Sequence, residues 1–258
     1  MLRIAKALET ALRTAVGLLI LPAAFFLAST VALLLAALGV PTTRLHWIYA
    51  SVAWLCLRIG GTRLEVAGEE VARGAYIVVS NHESMWDAPC VVAGLPELIL
   101  RFVAKREVMR IPVFGQALRL TGNVSVTRSK TAGDVDRLRQ GMGERAPEVS
   151  MLFFAEGTRS RDGALQPFKM GAFATALASG LPILPVALAG TYAIWPKGSL
   201  RLRRARVVMV IGQPVPLGDL GLEDRAGLRD KVHHTVSNLR DRARELLRAQ
   251  GCEPGGIE

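Results

Sequence analysis

The longest hydrophobic run in the chain covers residues 15–40 and contains no charged residue. As a helix its 26 residues would extend about 39 Å, which exceeds the roughly 30 Å of a bilayer's hydrocarbon core. A second apolar run, residues 46–57, is too short to span and carries Trp47, Tyr49 and Trp54, aromatic residues typical of a membrane interface. We therefore predict that residues 1–60 form a membrane-embedded helical pair inserted from the cytoplasmic side.

Two other interpretations of this region stay open. A cleaved signal peptide would have a shorter apolar region, of about 7–15 residues, and is disfavoured. A single membrane span is the closer rival, because basic residues flank the run on both sides and the positive-inside rule does not separate the two ends. These residues are Arg3, Lys6, Arg13, Arg44, Arg58 and Arg63.

After Gly60 and Gly61 the pattern changes to short β-type runs that alternate with amphipathic helical segments. Strands are predicted at 64–67, 75–80, 100–104, 122–127, 150–155, 182–188 and 205–211. Helices are predicted at 86–94, 112–120, 132–141, 168–179 and 223–249. This alternation predicts an α/β domain over residues 61–258, with a mixed, largely parallel sheet flanked by helices.

The last helix carries an apolar stripe at three- and four-residue intervals, which predicts that it packs on the sheet. The stripe consists of Leu228, Val232, Val236, Leu239, Ala243 and Leu246. His233 and His234 lie in the same helix without an acidic partner at useful spacing, and we predict that both are surface residues.

Charge and cysteine content narrow the range of partners. The 32 Lys and Arg exceed the 22 Asp and Glu, and the net charge of +10 suggests an anionic partner. A basic segment at 197–206 holds Lys197, Arg201, Arg203, Arg204 and Arg206, and could meet an anionic leaflet, an acidic carrier protein or only solvent. No nucleic-acid-binding motif accompanies the charge. Cys56, Cys90 and Cys252 form no metal-binding spacing and indicate reduced thiols in the cytosol.

The segment YIVVSNHESMWD, residues 76–87, ends a buried β-type run on Asn81 and His82. In open α/β sheets, ligands bind at the carboxyl ends of strands. Asp87 could not reach His82 if both lay on one regular helix, but it can if His82 precedes the helix that Asp87 begins. Such a carboxylate would hold one ring nitrogen and leave the other as a base. Because no G-x-S-x-G nucleophile is present, the pair suits direct activation of a substrate hydroxyl.

A second strand, in FFAEGTRSRDG at 153–163, ends on Glu156, Gly157, Thr158 and Arg159. Glycine allows close approach of the backbone to a ligand, and the planar guanidinium of arginine matches phosphate oxygens. The alternative is that this stretch is an ordinary turn with arginines on the surface and no ligand. Neither this stretch nor the histidine stretch has the clustered ligands of a metal site.

Together these stretches resemble the glycerolipid acyltransferase family, whose main bacterial members are lysophosphatidate acyltransferases. NHESMWD matches the family's N-H-x-x-x-x-D block, and FAEGTRS matches its F-P-E-G-T-R-S block with Ala155 in place of proline. KREVMRIPVFG at 105–115 and LPILPVAL at 181–188 match two further blocks in the family's order. Four ordered blocks over roughly residues 60–215 make this resemblance specific.

The resemblance implies a reaction and a set of roles. His82 would be the general base and Asp87 its orienter, in acyl transfer from a thioester to the sn-2 hydroxyl of 1-acylglycerol-3-phosphate, giving phosphatidate. The acceptor's phosphate would be held by the group Lys105, Arg128, Glu156, Gly157, Thr158 and Arg159, with Glu156 acting as a brace for an arginine or a hydroxyl. Pro182 and Pro185 would shape the acyl-donor side.

The resemblance also implies partners and a location. No metal or prosthetic group is expected, and acyl carrier protein or acyl-coenzyme A would enter as the co-substrate. The expected location is the cytoplasmic face of the inner (plasma) membrane, integral or monotopic. Three alternatives remain: another acceptor such as lyso-ornithine lipid, a membrane-bound lipid hydrolase in which the pair activates water, and a catalytically silent membrane-binding scaffold.

Overall fold

A computed structural model describes residues 2–126 and 148–252 of the chain. Seven of its strands form one sheet in the order β1-β7-β6-β2-β5-β3-β4. They are β1 (Arg63–Gly68), β2 (Ile77–Ser80), β3 (Ile99–Lys105), β4 (Val124–Val126), β5 (Val149–Phe154), β6 (Ile183–Ala189) and β7 (Arg206–Ile211). Six form the main body and the short β4 extends the β3 edge.

Five of the strands, β2 to β6, run in one direction, while β1 and β7 run in the other. The β6–β7 pair is the antiparallel one in this order, and every other neighbouring pair is parallel. The predicted mixed, largely parallel sheet flanked by helices is therefore confirmed. Because β2, β3 and β5 are parallel neighbours, their carboxyl ends share one edge of the sheet.

Seven helices accompany the sheet in the described ranges. They are α1 (Leu2–Ala37), α2 (His46–Gly60), α3 (Asp87–Gly94), α4 (Phe114–Leu120), α5 (Gly171–Ser179), α6 (Thr191–Ile194) and α7 (Arg225–Ala249). Short 3-10 turns precede α2, α4 and α7. The predicted helix at 132–141 lies outside the described residues.

Side chains alternate between the two faces of the sheet, as the two-residue period of a strand requires. Val78, Leu152 and Leu184 pack with residues of α1, α2 and α3 in one hydrophobic cluster. Ile77 and Met151, their neighbours in sequence, pack with α5 and α7 in a second cluster on the opposite face. Residues 77–80 and 183–189 are buried along their whole length, which is typical of central strands covered on both faces.

The two N-terminal helices contact each other, and α1 also packs on α4. Helix α1 continues through Pro22 and is long and apolar enough, over Ile4–Ala37, to cross a membrane. Many of its large apolar side chains are exposed, among them Leu18, Leu19, Ile20, Phe26, Leu27 and Leu34. Trp47 and Trp54 of α2 are also about half exposed, at 53% and 52%.

Helix α7 packs across β6 and β7. Four members of the predicted stripe, Leu228, Val232, Val236 and Ala243, are buried, and the other two are partly buried. His234 is exposed as predicted. His233 is only partly exposed, which corrects the prediction, because its ring packs edge-on against Phe168 at 4.7 Å between centroids.

Candidate active site

The turn between β2 and α3 brings the predicted histidine and aspartate together. His82 lies two residues beyond the end of β2, and Asp87 is the first residue of α3. Their side chains meet at 2.7 Å between His82 Nδ1 and Asp87 Oδ2. Because the carboxylate oxygen accepts, we assign the ring proton to Nδ1, which leaves Nε2 with an unprotonated lone pair.

Asp87 is fully buried and is held by the backbone of the catalytic loop, residues 81–86. Its Oδ2 also accepts the backbone N–H groups of Glu83, at 2.7 Å, and Ser84, at 2.8 Å. The same oxygen therefore closes the loop and orients the imidazole. The His82 ring in turn stacks on Phe154, with centroids 4.1 Å apart and planes 15° apart, so one face of the ring is held by Phe154 and its Nδ1 edge by Asp87.

Glu156 joins the catalytic loop to the neighbouring EGTR loop, residues 155–166. It is 3% exposed, and its Oε1 accepts the backbone N–H of His82 at 2.6 Å while Oε2 accepts that of Gln166 at 3.0 Å. A second hydrogen bond joins the same two loops, because the backbone N–H of Ser160 donates to the His82 carbonyl at 2.8 Å. Glu156 therefore braces two backbone N–H groups, whereas we expected from the sequence that it would brace an arginine or a hydroxyl.

Two lysines that were not among the predicted site residues, Lys169 and Lys197, lie beside Gly157 and Thr158 of the EGTR loop. Gly157 has a positive φ of +70°, a conformation that favours glycine, and the Lys169 side chain lies beside it, with Cδ 2.9 Å from where a Cβ would be. Lys197 donates to the Thr158 hydroxyl at 3.1 Å. Arg159 follows and is partly exposed. This edge of the sheet therefore collects cationic side chains.

A buried charge pair ties α7 to both loops. Arg240 is 5% exposed, and its Nε donates to Oε1 of Glu83 at 3.2 Å. Its Nη2 donates to the carbonyl of Gly163 in the EGTR loop, to which Arg244 also donates at 3.2 Å. Asn81 donates to the same Glu83 oxygen at 2.9 Å and exchanges two hydrogen bonds with the backbone of Leu188 in β6.

Burial sets the protonation of the two glutamates. It raises the pKa of Glu156 to about 7, and the backbone N–H donations from His82 and Gln166 offset only part of the rise. Burial likewise raises the pKa of Glu83 to about 7 despite the opposing charge of Arg240. Both carboxyl groups therefore gain or lose a proton near neutral pH, and both lie next to His82: Glu156 bonds its backbone N–H and Glu83 follows it in the catalytic loop.

The family model described as Acyltransferase matches residues 63–189, which include both loops. The chain is 31% identical over 176 residues to the 1-acyl-sn-glycerol-3-phosphate acyltransferase of Escherichia coli (strain K12), covering 67% of this chain and 69% of that protein. This chain belongs to the acyltransferase family. The resemblance to glycerolipid acyltransferases is thereby confirmed.

Plant members of the acyltransferase family are also similar. The 1-acyl-sn-glycerol-3-phosphate acyltransferase of Limnanthes douglasii is 34% identical over 204 residues, covering 76% of this chain and 66% of that protein. The chain thus spans slightly less than two thirds of that relative's length. The crystal structure of the 1-acyl-sn-glycerophosphate acyltransferase of Thermotoga maritima shares the fold, with a TM-score of 0.70 over 92% of this chain and 95% of that one, at 24% identity.

The remaining predicted site residues of this acyltransferase-family chain fall in three places. Lys105 ends β3, one strand away from the EGTR loop along the shared edge. Arg128 lies outside the described residues. Pro185 pairs in register with Val79, and Pro182 precedes β6 at its amino end, so the structure does not bring the two prolines together with His82.

Sequence reasoning missed Arg240, Glu83 and Lys169. A signal for Arg240 was available, because it follows Val236 by four residues and therefore lies on the apolar stripe of α7. No similar signal identified its partner, since the Glu83–Arg240 contact joins residues 157 positions apart. Among the described residues, no group of three or more His, Cys, Asp or Glu side chains is placed to hold a metal ion.

Proposed function

We propose that the chain is a 1-acylglycerol-3-phosphate O-acyltransferase in which His82 is the general base. The observation that carries the proposal is the 2.7 Å contact between Asp87 and Nδ1 of a histidine whose side chain is 20% exposed at the ligand-binding edge of the sheet. The choice of acceptor is supported by the similar family members, which are 1-acyl-sn-glycerol-3-phosphate acyltransferases by name.

The reaction follows from the protonation of the ring. Nε2 of His82 takes the proton of the acceptor's sn-2 hydroxyl as its oxygen attacks the thioester carbonyl. The buried carboxylate of Asp87 stabilises the imidazolium that forms, while Nδ1 keeps its proton. The C–S bond then breaks, and the leaving thiolate recovers a proton from the imidazolium. The products are phosphatidate and the free thiol of the donor.

The EGTR loop is the proposed site for the acceptor's phosphate. Arg159 supplies a guanidinium, and Lys169 and Lys197 add charge beside Gly157 and Thr158. Lys105 and Arg128 keep their predicted roles in the same site. Glu156 contributes indirectly, because both of its oxygens are occupied by backbone donors that fix the loop.

The long apolar α1 and the membrane-associated acceptor support a place at the membrane, with the α/β domain on the cytoplasmic side. Acyl carrier protein or acyl-coenzyme A is the proposed donor, since both present the acyl group as a thioester. The basic segment at 197–206 reaches the site through Lys197, which suits either of these anionic donors.

A panel of acceptors tests the proposal directly. Purified protein in detergent would be offered lysophosphatidate, lyso-ornithine lipid and lysophosphatidylglycerol, each with both thioester donors. We expect the highest kcat/KM with lysophosphatidate and no release of free fatty acid. Preference for another lysolipid would reassign the acceptor, and fatty acid release in place of transfer would indicate a hydrolase.

A matched pair of arginine variants tests the phosphate site. We expect Arg159→Gln to raise the KM for lysophosphatidate about tenfold or more, because a charge-assisted hydrogen bond contributes about 1.5–3 kcal/mol. Arg161→Gln removes the same charge two positions along the loop, from an exposed side chain, and should leave KM unchanged. Equal effects of the two changes would contradict the assignment of Arg159.

A further inference from the structure

A second cationic site lies away from the catalytic edge, where the helical pair meets the α/β domain. A cavity of about 410 Å³ there is lined by Arg13, Trp54, Leu57, Arg58, Gly61, Thr62, Arg63 and Arg204. These residues come from α1, α2, the turn after α2, the start of β1 and the segment before β7. None of them belongs to the predicted site around His82.

The lining contains four arginines and no carboxylate. Arg13 is fixed in the wall, because its side chain donates twice to Glu9 of the same helix and once to the carbonyl of Ile59 at the end of α2. Three of its five N–H donors are therefore used, and two remain for a ligand. Arg58, Arg63 and Arg204 are exposed. The site offers several guanidinium donors to one anion, an arrangement suited to phosphate oxygens.

The apolar part of the lining indicates what carries the phosphate. Trp54 is 52% exposed in the same cavity, as is typical of tryptophan at a membrane interface. Ile20 and Leu27 of α1 are also exposed, and because they lie seven and fourteen residues from Arg13 they are on about the same side of the helix, with Ile20 about 10 Å away along its axis. A ligand with a phosphate in the cavity therefore has an apolar surface beside it for acyl chains.

The cavity is also connected to the catalytic loop. The hydroxyl of Thr62, in the lining, accepts the indole N–H of Trp86 at 2.9 Å. Trp86 directly precedes Asp87 and is buried against Gly60 at the end of α2. The walls of the cavity and the histidine–aspartate turn are therefore parts of one packed unit.

We propose that this cavity is a binding site for the phosphate headgroup of an anionic membrane phospholipid, separate from the acceptor site. It rests on the membrane placement given under the proposed function. A headgroup held here would set the depth and the orientation at which the α/β domain meets the bilayer. Free inorganic phosphate shares the recognised chemistry but lacks the chains that the exposed surface of α1 can contact.

The test measures ligand-dependent shifts in Tm of the full-length protein in a neutral detergent, since a ligand that binds the folded state raises Tm. The probes are dihexanoylphosphatidylglycerol, dihexanoylphosphatidylcholine and inorganic phosphate. The variant Arg58→Gln/Arg204→Gln removes two cations from the cavity. Its control, Arg242→Gln/Arg248→Gln, removes the same charge from exposed positions on α7, which packs on the opposite face of the sheet.

We expect saturable binding of the phosphatidylglycerol probe by wild type, at least tenfold tighter than that of the other two probes. The cavity variant should bind it at least tenfold more weakly, while the control stays within twofold of wild type. Three results would each overturn the proposal. They are equal loss of affinity for the phosphatidylglycerol probe in both variants, no binding of that probe by wild type, and inorganic phosphate binding as tightly as the lipid. Arg204→Gln alone is the fallback if the double variant unfolds.

The same samples separate this proposal from the proposed function. His82→Ala should bind the phosphatidylglycerol probe like wild type, because His82 does not line the cavity. If only the cavity variant loses affinity for the probe but wild type transfers no acyl group, the cavity assignment stands and the proposed function fails. If acyl transfer occurs and the cavity variant keeps full affinity for the probe, the proposed function stands and the cavity assignment fails.

Discussion

At the residue scale, the decisive feature is that one oxygen of Asp87 has three partners. Oδ2 accepts the His82 ring and two backbone N–H groups, while Oδ1 is buried without a hydrogen-bond partner among the described residues. The orientation of the imidazole and the shape of the catalytic loop therefore depend on the same atom. A change at Asp87 should affect the chemical step more than the binding of either substrate.

Asp87→Asn tests this dependence. An amide cannot balance an imidazolium, and it can present its NH₂ to the ring and reverse the tautomer of His82. We expect kcat to fall about 10²–10⁴-fold with KM changed less than threefold, as for the loss of a general base. Steady-state kinetics with lysophosphatidate would show this. A variant with a raised KM and an unchanged kcat would contradict the assignment of Asp87 as the orienter.

The raised pKa of Glu156 gives a pH dependence of stability whose sign is fixed. The folded protein holds the proton of the Glu156 carboxyl more tightly than an unfolded chain does. The contribution of Glu156 to the free energy of unfolding is therefore fully present below about pH 4.5. It is lost as pH rises through about 7. Glu83, with its pKa also raised to about 7, acts in the same direction.

We therefore expect the Tm of wild type to fall between pH 5 and pH 7.5, and Glu156→Gln to reduce that slope, because glutamine does not titrate. Thermal unfolding followed by tryptophan fluorescence across this range would measure it. Glu245→Gln, at an exposed position of α7, is the control and should keep the wild-type slope. A Glu156→Gln slope identical to wild type would refute the role of Glu156.

At the scale of elements, α7 connects the two loops through one arginine. Arg240 spans from Glu83 in the catalytic loop to Gly163 in the EGTR loop, while the apolar residues around it hold the helix on the sheet. A buried pair of this kind is costly to break on one side, because the remaining charge is left unpaired.

Arg240→Met should lower the free energy of unfolding by about 3–5 kcal/mol, since Glu83 loses its buried partner. The double variant Glu83→Gln/Arg240→Met should recover part of this loss, because it leaves no unpaired charge. Chemical denaturation in detergent would measure both, with Arg242→Met as an exposed control expected within about 0.5 kcal/mol of wild type. Additive losses in the double variant would contradict a direct coupling.

The elements and the type of sheet were predictable, whereas the order and direction of the individual strands were not. All seven strands were predicted from the pattern of apolar residues, and the clearest were the central ones, because strands buried on both faces form continuous apolar runs such as IVVS and ILPVALA. No local sequence pattern indicates that β1 and β7 run opposite to β6, because strand direction is set by the connections and by long-range pairing.

The same limit applies to the candidate site. His82 and Asp87 were found because the turn that joins them is only five residues long. Arg240 was missed because it reaches the site from α7, far along the chain, and Lys169 because it lies just beyond the EGTR loop, in the segment before α5, and returns to Gly157 only in the folded structure. Pro182 and Pro185 were selected from the family block; Pro185 lies within β6 and Pro182 directly precedes it, and their role on the acyl-donor side stays a prediction.

At the scale of the whole molecule, the exposed apolar α1, the half-exposed tryptophans of α2 and the arginine-lined cavity lie on the helical side of the sheet. A bilayer meeting this side would leave α7 on the far face, in solvent. Together with the cytoplasmic side proposed for the α/β domain, this arrangement predicts which cysteines can be labelled and from which side of the membrane.

Cys252 follows α7 and is partly exposed, whereas Cys56 and Cys90 are 2% and 0% exposed. A membrane-impermeant maleimide should therefore leave intact cells unlabelled and modify one thiol per chain in inside-out vesicles. Cys252→Ser should abolish that signal, and all three thiols should react after denaturation. Labelling of intact cells would place the α/β domain on the opposite side of the membrane.

The central claim is that Nε2 of His82 removes the proton from the acceptor hydroxyl. Its most direct test is the initial rate of phosphatidate formation by wild type and His82→Ala, at saturating lysophosphatidate and thioester, with both proteins shown to have the same Tm. The account predicts a loss of at least about 10²-fold. Transfer by His82→Ala at the wild-type rate would contradict it.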